Sequence, residues 1–329
     1  MRKNLKRKDA FTVLLTVFAV AALTICLLFT GLRAGEKIAF ADFYKRARAE
    51  FAIPAGGGFV GQGLDYLEDE KAFITCGYSA GNGKASMVYY IDEKGNATRT
   101  LLKNADGSNY TGHTGGIAHY KEYFYITGDD GCDVFPLADL INRRSESVKL
   151  GEVKTLLDPA YCNVYGGKFY TGAFYRAGNY ETPDWQRIKT PAGDGNKAVI
   201  TVFDIDDGAA ESFYISPEPV AAYSTAGLVQ GMTFTEDKIV LSTSYGLAAS
   251  HLYFYNRSGI SAGQLTLNGA NVPLYYLDST CLEATVTAPP MSEEIVYLNS
   301  RIYIMSESAS DKYIFGKFMS GKHLWSYGI

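Results

Sequence analysis

The chain has 329 residues, 47% of them hydrophobic, with 25 Tyr and 18 Phe. This is enough apolar material for a large core, and the aromatic content favours strands over helices. The formal net charge is −4, of which the first ten residues contribute +4, so the rest of the chain carries −8. A domain this acidic is a poor candidate for binding nucleic acid.

The N-terminus predicts a membrane anchor. Residues 1–9 form a basic tail, and residues 10–32 contain no charged side chain. At the helical rise per residue this apolar run is long enough to cross a bilayer. The basic tail places the N-terminus in the cytoplasm and everything after the helix outside the cell. The alternative is a secretory signal cleaved near Ala39-Phe40-Ala41, but the run is longer than an ordinary signal core, which favours the anchor.

A connecting segment precedes the main domain. Within residues 33–58, apolar side chains of residues 36–50 recur at near-helical spacing, which predicts a stalk or a short helix. Pro54 and the three glycines at 56–58 then mark the join to the next unit. The predicted extracellular domain therefore spans residues 59–329.

One two-strand pattern occurs five times in that domain. Each copy contains an apolar strand, a short turn, a second strand and an exit rich in small and aromatic residues. The copies are residues 60–79, 113–130, 161–175, 229–246 and 292–308. Their starts are 48 to 68 residues apart, and one such hairpin cannot bury both faces alone, so the repeat predicts an all-β propeller.

Further strand-like segments complete each repeat. Third strands are predicted at 85–92, 133–137, 198–206, 250–256 and 312–318. Fourth strands are predicted at 97–103, 152–157, 211–216 and 264–267. Five blades are favoured, with residues 324–329 or a segment near Phe51 closing the ring. A sixth, degenerate blade within residues 272–287 is the main alternative.

The predicted fold brings distant residues to one central opening, because inner strands start and second strands end on the same face of a propeller. Aligning the repeats on Gly63, Gly116, Asn163, Gly231 and Glu294 gives the residues that should surround it. The candidate ligand-binding residues are Gln62, Tyr78, His113, Asp129, Tyr175, Gln230, Tyr245, Glu293 and Glu307. The tyrosines suit contacts with saccharides or peptides, since they are rigid and amphipathic.

The carboxylates are the most informative members of this set. Asp129, Glu293 and Glu307 would repel one another near one axis unless a cation, a proton or a ligand compensates. Calcium is a candidate cofactor, because it takes six to eight oxygen ligands. Alternatively, Glu293 and Glu307 serve as acid and base in glycoside cleavage.

The uncharged candidates have both functional and structural interpretations. His113 would act as a general base oriented by Asp129, although a single histidine in a glycine-rich loop is more often a structural hydrogen bonder. Gln62 and Gln230 can equally serve to hydrogen-bond neighbouring inner strands. Cys76 and Cys132 are the best-placed disulfide pair, with free buried thiols as the alternative.

A resemblance rests on the order of several short motifs. They are Gln62-Gly63-Leu64, residues 112–116 (GHTGG), Gln230-Gly231-Met232, Ser244-Tyr245-Gly246, residues 290–293 (PMSE) and Ser306-Glu307-Ser308. In this order they resemble a group of uncharacterised secreted or membrane-anchored bacterial propeller proteins, over about residues 59 to 319. The group usually has Gly after the first glutamate, where this chain has Glu294. The resemblance implies the fold, export and a shared axial opening, and it supplies no reaction.

Three functions follow as expectations. The leading one is a membrane-anchored extracellular propeller that binds a small polar ligand, a glycan or a protein at its axial opening. The alternative is an extracellular hydrolase of glycosidase, lactonase or nucleotidase type that uses the axial carboxylates, with or without calcium. A purely structural module of an envelope complex is the third.

Overall fold

The N-terminal segment begins with one long helix. The computed structural model describes residues 2–313, 315–318 and 321–329. Helix α1 (Arg2–Ala39) is followed by a short helix α2 (Ala41–Arg46) and by strand β1 (Ala47–Ala52). Ala10–Ala39 is apolar and long enough to cross a membrane, and its most apolar window is not buried. The segment predicted as a stalk thus supplies the end of α1, α2 and a strand.

Blades 1 and 2 are the first two of the ring in chain order. Blade 1 contains β2 (Phe59–Leu67), β3 (Ala72–Ser79), β4 (Met87–Ile91) and β5 (Ala97–Lys103). Blade 2 contains β6 (Ile117–Tyr120), β7 (Tyr123–Gly128), β8 (Gly131–Pro136) and, after α3 (Leu137–Ile141) and β9 (Glu146–Val148), β10 (Gly151–Lys154). Strand β9 leaves blade 2 and pairs in parallel with β5 at the edge of blade 1, which ties the two sheets together.

Blades 3 and 4 follow in the same arrangement. Blade 3 contains β11 (Pro159–Tyr165), β12 (Lys168–Ala173), β13 (Ala198–Ile205) and β14 (Ile215–Thr225). Blade 4 contains β15 (Val229–Phe234), β16 (Lys238–Thr243), β17 (Ser250–Asn256) and β20 (Leu282–Ala288). The hairpin of β18 (Ala262–Leu267) and β19 (Ala270–Tyr276) separates β17 from β20 in the chain and extends the sheet of blade 3.

The chain forms five blades, and the six-bladed alternative is wrong. Residues 272–287 do not make a sheet of their own, because β19 joins blade 3 and β20 becomes the outer strand of blade 4. Residues 264–267, predicted as the fourth strand of blade 4, lie instead in β18 on blade 3. A strand-like sequence pattern predicts that a segment joins a sheet. Which sheet it joins depends on the path of the chain in three dimensions.

Blade 5 closes the ring by pairing β1, which precedes blade 1 in the chain, with the last strand of the chain. It contains β21 (Ser292–Leu298), β22 (Arg301–Ser306) and β23 (His323–Gly328), with β1 as the outer strand. The segment near Phe51 therefore completes this blade. The third strand predicted at 312–318 is displaced to β23, because residues 315–318 form a 3-10 turn; Ile314 lies outside the described residues.

The core lies between neighbouring blades. Ile74 and Val88 of blade 1, for example, pack in one cluster with Phe124 and Phe135 of blade 2. Each sheet is covered by a neighbouring blade on both faces. Consecutive residues of an inner strand are therefore buried, as the first five residues of β21 are. Four cysteines are buried as free thiols, so no disulfide joins Cys76 to Cys132.

Helix α2 fastens α1 to blade 5, and this contact can be tested. Phe43 is 2% exposed, stacks on Tyr327 at 5.6 Å and meets Trp325 edge to face. We expect Phe43→Ala to lower the free energy of unfolding by about 3–5 kcal/mol, because the side chain leaves a cavity. Denaturant unfolding of the full chain in detergent measures the loss. Ile38→Ala, at a 78% exposed position, is the matched control, and an equal effect of the two changes would contradict the proposed docking.

Candidate functional site

The five inner strands begin on one face of the disc, which we term the mouth face. On this face β2, β6, β11, β15 and β21 start, and β3, β7, β12, β16 and β22 end. The hairpin register of blade 5 shows the geometry, since Ser292 at the start of β21 pairs with Ser306 at the end of β22. Residues from all five repeats therefore meet around a common axis, which is the axial mouth.

A β-bulge interrupts the inner strand at the start of four blades. In β21, Ser292 pairs with Ser306 and Ile295 pairs with Ile304, so Glu293 and Glu294 together oppose the single residue Met305. The same irregularity occurs in β2, β11 and β15. A bulge changes the direction of consecutive side chains and is common beside functional sites. Here it places two adjacent glutamates in different surroundings.

Glu294 lies on the propeller axis and binds the backbones of three other blades. Its Oε2 accepts hydrogen bonds from the N–H of Leu64 at 2.8 Å and of Ile117 at 3.0 Å. Its Oε1 accepts from the N–H of Cys162 at 3.2 Å. Burial raises the pKa of this carboxyl, and the three N–H donors oppose the shift because they favour the charged form. The side chain acts as a cross-link at the centre of the ring.

Small residues make room for this cross-link. A Cβ atom on Gly116 would lie 3.0 Å from Oε1 of Glu294 and 2.6 Å from the Cα of Tyr161, and one on Gly231 would lie 2.5 Å from the Cα of Glu294. The same contacts show which residue of blade 3 corresponds to Gly116 of blade 2. This residue is Tyr161, which comes directly before the donor Cys162, whereas the aligned repeats predicted Asn163. The weak third repeat therefore shifted by two residues in the sequence alignment.

Glu293 and Glu307 form a carboxyl pair next to the cross-link. Glu293 is 2% exposed, and its carboxyl has no hydrogen-bond partner among residues 2–313, 315–318 and 321–329. Oε2 of Glu307 accepts hydrogen bonds from Nε2 of Gln62 and from the hydroxyl of Tyr313, both at 2.9 Å. One oxygen of Glu307 is thus hydrogen-bonded, whereas neither carboxyl oxygen of Glu293 is in the described part of the chain.

The pair holds protons more tightly than isolated carboxyls do. Burial raises the pKa of Glu293 well above its ordinary value, and the nearby charges of Glu307 and Glu294 add to the shift. Burial also raises the pKa of Glu307, although Tyr313, Gln62 and Lys312 act against the shift. The two groups titrate together, so the property belongs to the pair. A proton on the pair, or a nearby positive charge such as that of Lys312, reduces the repulsion between the two carboxyls.

A wall of aromatic and basic side chains flanks the pair. The rings of Tyr78 and His113 stack at 4.7 Å, and the hydroxyls of Tyr78 and Tyr313 lie 3.5 Å apart. The Lys312 ammonium donates to the Tyr78 hydroxyl and lies over both tyrosine rings. Surrounding protein lowers the pKa of His113, with a smaller contribution from Lys312. His113 is therefore a neutral imidazole near pH 7.

Three further candidates occupy the half of the mouth face formed by blades 3 and 4. Gln230 is half-buried, and its amide has no hydrogen-bond partner in the described part of the chain. The Arg187 guanidinium lies 5.6 Å from the ring centroid of Tyr175. The Arg176 guanidinium lies 3.9 Å from the ring centroid of Tyr245. The two tyrosines therefore belong to a separate group of aromatic and arginine side chains.

Asp129 does not lie with the two glutamates. It is exposed in the tight turn between β7 and β8, where a side chain reaches solvent rather than the axis. His113 stacks on Tyr78, and no hydrogen bond to Asp129 occurs among the described residues. The predicted pairing of His113 with Asp129, and the cluster of three carboxylates, are therefore not present in this structure.

The structure also adds residues that the repeat pattern did not identify. Lys312 and Tyr313 lie in the connection between β22 and β23, where the repeat pattern predicted a third strand rather than a mouth-face loop. Glu294 had a visible signal, because it occupies a position where the resembling proteins usually have glycine. Within the described residues, no three His, Cys, Asp or Glu side chains are grouped so that they would hold a metal ion.

Solved structures with a related overall shape have very different sequences. Glutaminyl cyclase from Myxococcus xanthus is 9% identical with a TM-score of 0.44, covering 85% of this chain and 94% of that one. A nidogen–laminin complex is 12% identical with a TM-score of 0.38, covering 76% and 73%. Apo AztD from Citrobacter koseri is 13% identical with a TM-score of 0.32, covering 74% and 58%. This chain matches no protein-family model and no curated protein sequence. Such distant likenesses carry nothing about ligand or reaction.

Proposed function

We propose that this chain is a membrane-anchored extracellular propeller whose axial mouth binds a small polar ligand through a positively charged amine. The observation that carries the proposal is Glu293, which is 2% exposed and has no hydrogen-bond partner among the described residues. A buried carboxyl without a partner is costly. An ammonium group supplies both the missing donors and the compensating charge.

The surrounding side chains suit the same ligand. Tyr78 and Tyr313 present aromatic rings that attract a cation, as Lys312 already shows by its position over both. Gln230 has a side-chain amide without a hydrogen-bond partner in the described part of the chain, and His113 presents a neutral imidazole. A ligand with one amine and several hydroxyl groups would use all three kinds of contact. An amino sugar has this chemistry.

The anchor part of the proposal rests on α1. Residues 10–32 are long enough and apolar enough to span a bilayer, and the basic residues before them favour a cytoplasmic N-terminus. The propeller would then lie outside the cell, attached through α2. Cleavage near residue 41 would instead release the same propeller as a secreted protein.

Matched pairs of amines and neutral molecules test the ligand class. We expect glucosamine and ethanolamine to raise the melting temperature of the detergent-solubilised chain at pH 7, because a ligand bound only by the folded state stabilises it. Glucose and ethylene glycol should have no effect. Asp129→Asn, at an exposed turn, should keep the response. An equal response to the neutral members would contradict the proposal, and a response only to larger glycans or to protein would redirect it to those partners.

A hydrolase is the second candidate, and the unequal carboxyls favour it. Glu307 accepts two hydrogen bonds while Glu293 accepts none, so their environments differ in the way that an acid and a base require. Turnover of glycoside, lactone or nucleotide substrates that is lost in both Glu293→Gln and Glu307→Gln would support it. Calcium titration against a chelator in the same melting assay tests the ion directly.

A further inference from the structure

The membrane helix joins the propeller on the mouth side of blade 5. Strand β1 begins at the opposite side, where Ala47 pairs with Tyr327. Helix α2 precedes it, and its Phe43 lines a small cavity with Pro289, Ser308 and Gly321 of the mouth side. The end of α1 approaches the 3-10 turn Phe315–Phe318, which lies in the mouth-face connection between β22 and β23. The chain thus runs from the bilayer past the mouth face before it enters the ring.

Little chain separates the bilayer from this face. The uncharged run ends at Leu32, and α1 continues without a break to Ala39. Seven helical residues span about 10 Å. The next helix is already docked through the buried Phe43. The mouth face is therefore held close to the membrane surface.

Exposed aromatic and aliphatic side chains lie on the loops of the same face. Tyr180 is 56% exposed, Trp185 38%, Tyr245 38% and Leu247 51%. All four lie where second strands end and third strands begin in blades 3 and 4. Tyrosine and tryptophan prefer the interface between lipid and water because they have an apolar body and a polar group. Charged side chains of both signs accompany them on mouth-face loops, with Lys84, Lys189 and Lys312 among the basic ones and Asp129, Asp158 and Asp184 among the acidic ones.

The opposite face is acidic. The five turns between first and second strands there contain six acidic residues and two basic ones. They are Glu68, Asp69, Glu70, Glu122, Glu236 and Asp237, with Lys71 and Lys121. Turns later in blades 1 and 3 add five acidic residues and one basic residue on that side, namely Asp92, Glu93, Asp206, Asp207 and Glu211, with Lys94. Anionic lipid repels acidic segments, so the acidic excess of the opposite face and the aromatic content of the mouth face favour the same orientation.

We propose that the mouth face lies against the bilayer that α1 spans, with Tyr180, Trp185, Tyr245 and Leu247 at the lipid interface. The axial mouth then opens towards the membrane surface and takes its ligand from that layer. This inference rests on the anchor in the proposed function. It does not depend on which ligand binds.

The two tryptophans allow a direct test. Trp325→Phe leaves Trp185 as the only tryptophan of the full chain. We expect brominated phosphatidylcholine vesicles to quench its fluorescence relative to ordinary phosphatidylcholine vesicles, because bromine quenches only tryptophan that contacts lipid. The matched reporter is Lys94→Trp in a Trp185→Phe, Trp325→Phe background, on the acidic face. It should keep its intensity in brominated lipid.

The outcomes separate this inference from the proposed function. Quenching of Lys94→Trp, or no quenching of either reporter, would overturn the orientation. Leu247→Trp in the same tryptophan-free background gives a second mouth-face reporter in case Trp325→Phe unfolds the protein, and melting curves verify the fold of each variant. The intact mass of vesicle-bound protein reports whether the anchor is retained. If Trp185 is quenched but amines fail to bind, the orientation stands and the ligand proposal fails.

Discussion

Replacing Glu294 with alanine is expected to lower the free energy of unfolding by about 3–5 kcal/mol, since each buried donor left unpaired costs about 1–3 kcal/mol. The carboxylate accepts hydrogen bonds from Leu64, Ile117 and Cys162, which belong to three different blades. Removing it leaves three buried N–H groups without acceptors at the centre of the ring. Denaturant unfolding of the full chain measures the change.

Two companion variants separate the causes. Glu294→Gln keeps the shape but places an amide nitrogen where one oxygen accepted, so an intermediate loss is expected. Glu283→Ala removes an exposed partner of Lys238 and should change stability by less than about 1 kcal/mol. A loss for Glu294→Ala no larger than that of Glu283→Ala would show that the axial hydrogen bonds do not hold the blades together.

Replacing Glu293 with glutamine should have the opposite effect on stability and remove amine binding. The carboxyl is buried beside Glu307 and has no partner among the described residues, so its charge opposes folding at neutral pH. Glutamine has nearly the same shape without the charge. We expect the ligand-free variant to be more stable than the parent chain at pH 7, because it lacks the charge that burial and the neighbouring glutamates disfavour. The melting-temperature rise produced by glucosamine in the parent chain should be absent.

The pH dependence of this gain follows from the raised pKa of Glu293. The folded protein binds the proton more tightly than the unfolded chain, in which the pKa of a glutamate is about 4.3. Stability of the parent chain therefore falls as pH rises from that value to the folded-state pKa. The glutamine variant lacks this loss. The difference in unfolding free energy between the two should be smallest below about pH 4 and should increase towards neutral pH.

A surface carboxyl is the control for the pH effect. Asp129→Asn removes an acidic side chain from an exposed turn, so its difference from the parent chain should be small across the same pH range. If Glu293→Gln is destabilising at pH 7, the carboxyl has a stabilising partner and the argument for a ligand cation fails. If it is stabilising but still binds amines, the amine lies elsewhere on the mouth face.

The sequence predicted the features that depend on local pattern. An uncharged run of 23 residues at 10–32 is long and apolar enough to cross a bilayer. Five similar hairpins that cannot each bury both faces must pack against one another. In a propeller, the inner strands all start near the central axis. The sequence therefore predicted that Gln62, Glu293 and Glu307 lie close together, and they do. The partner of β19 was not predictable, because this strand lies between two strands of blade 4 in the chain but pairs with β14 of blade 3. The segment near Phe51 was one of two candidates for closing the ring, and the structure shows that it pairs with β23.

The division between what the sequence by itself determined and what the tertiary structure decided has a physical reason. Hydrophobic periodicity and repeat spacing reflect burial within a few residues, so the sequence determined the helix, the propeller and the set of residues near its axis. The role of each side chain depends on differences of a few ångströms in its distance to neighbouring atoms and on which hydrogen-bond partners it contacts. Only the folded ring engaged Glu294 with three backbones, left Glu293 beside Glu307 without a partner among the described residues, and moved Asp129 to the surface. It also brought α1 to the mouth-face connection of blade 5, which no local pattern encodes.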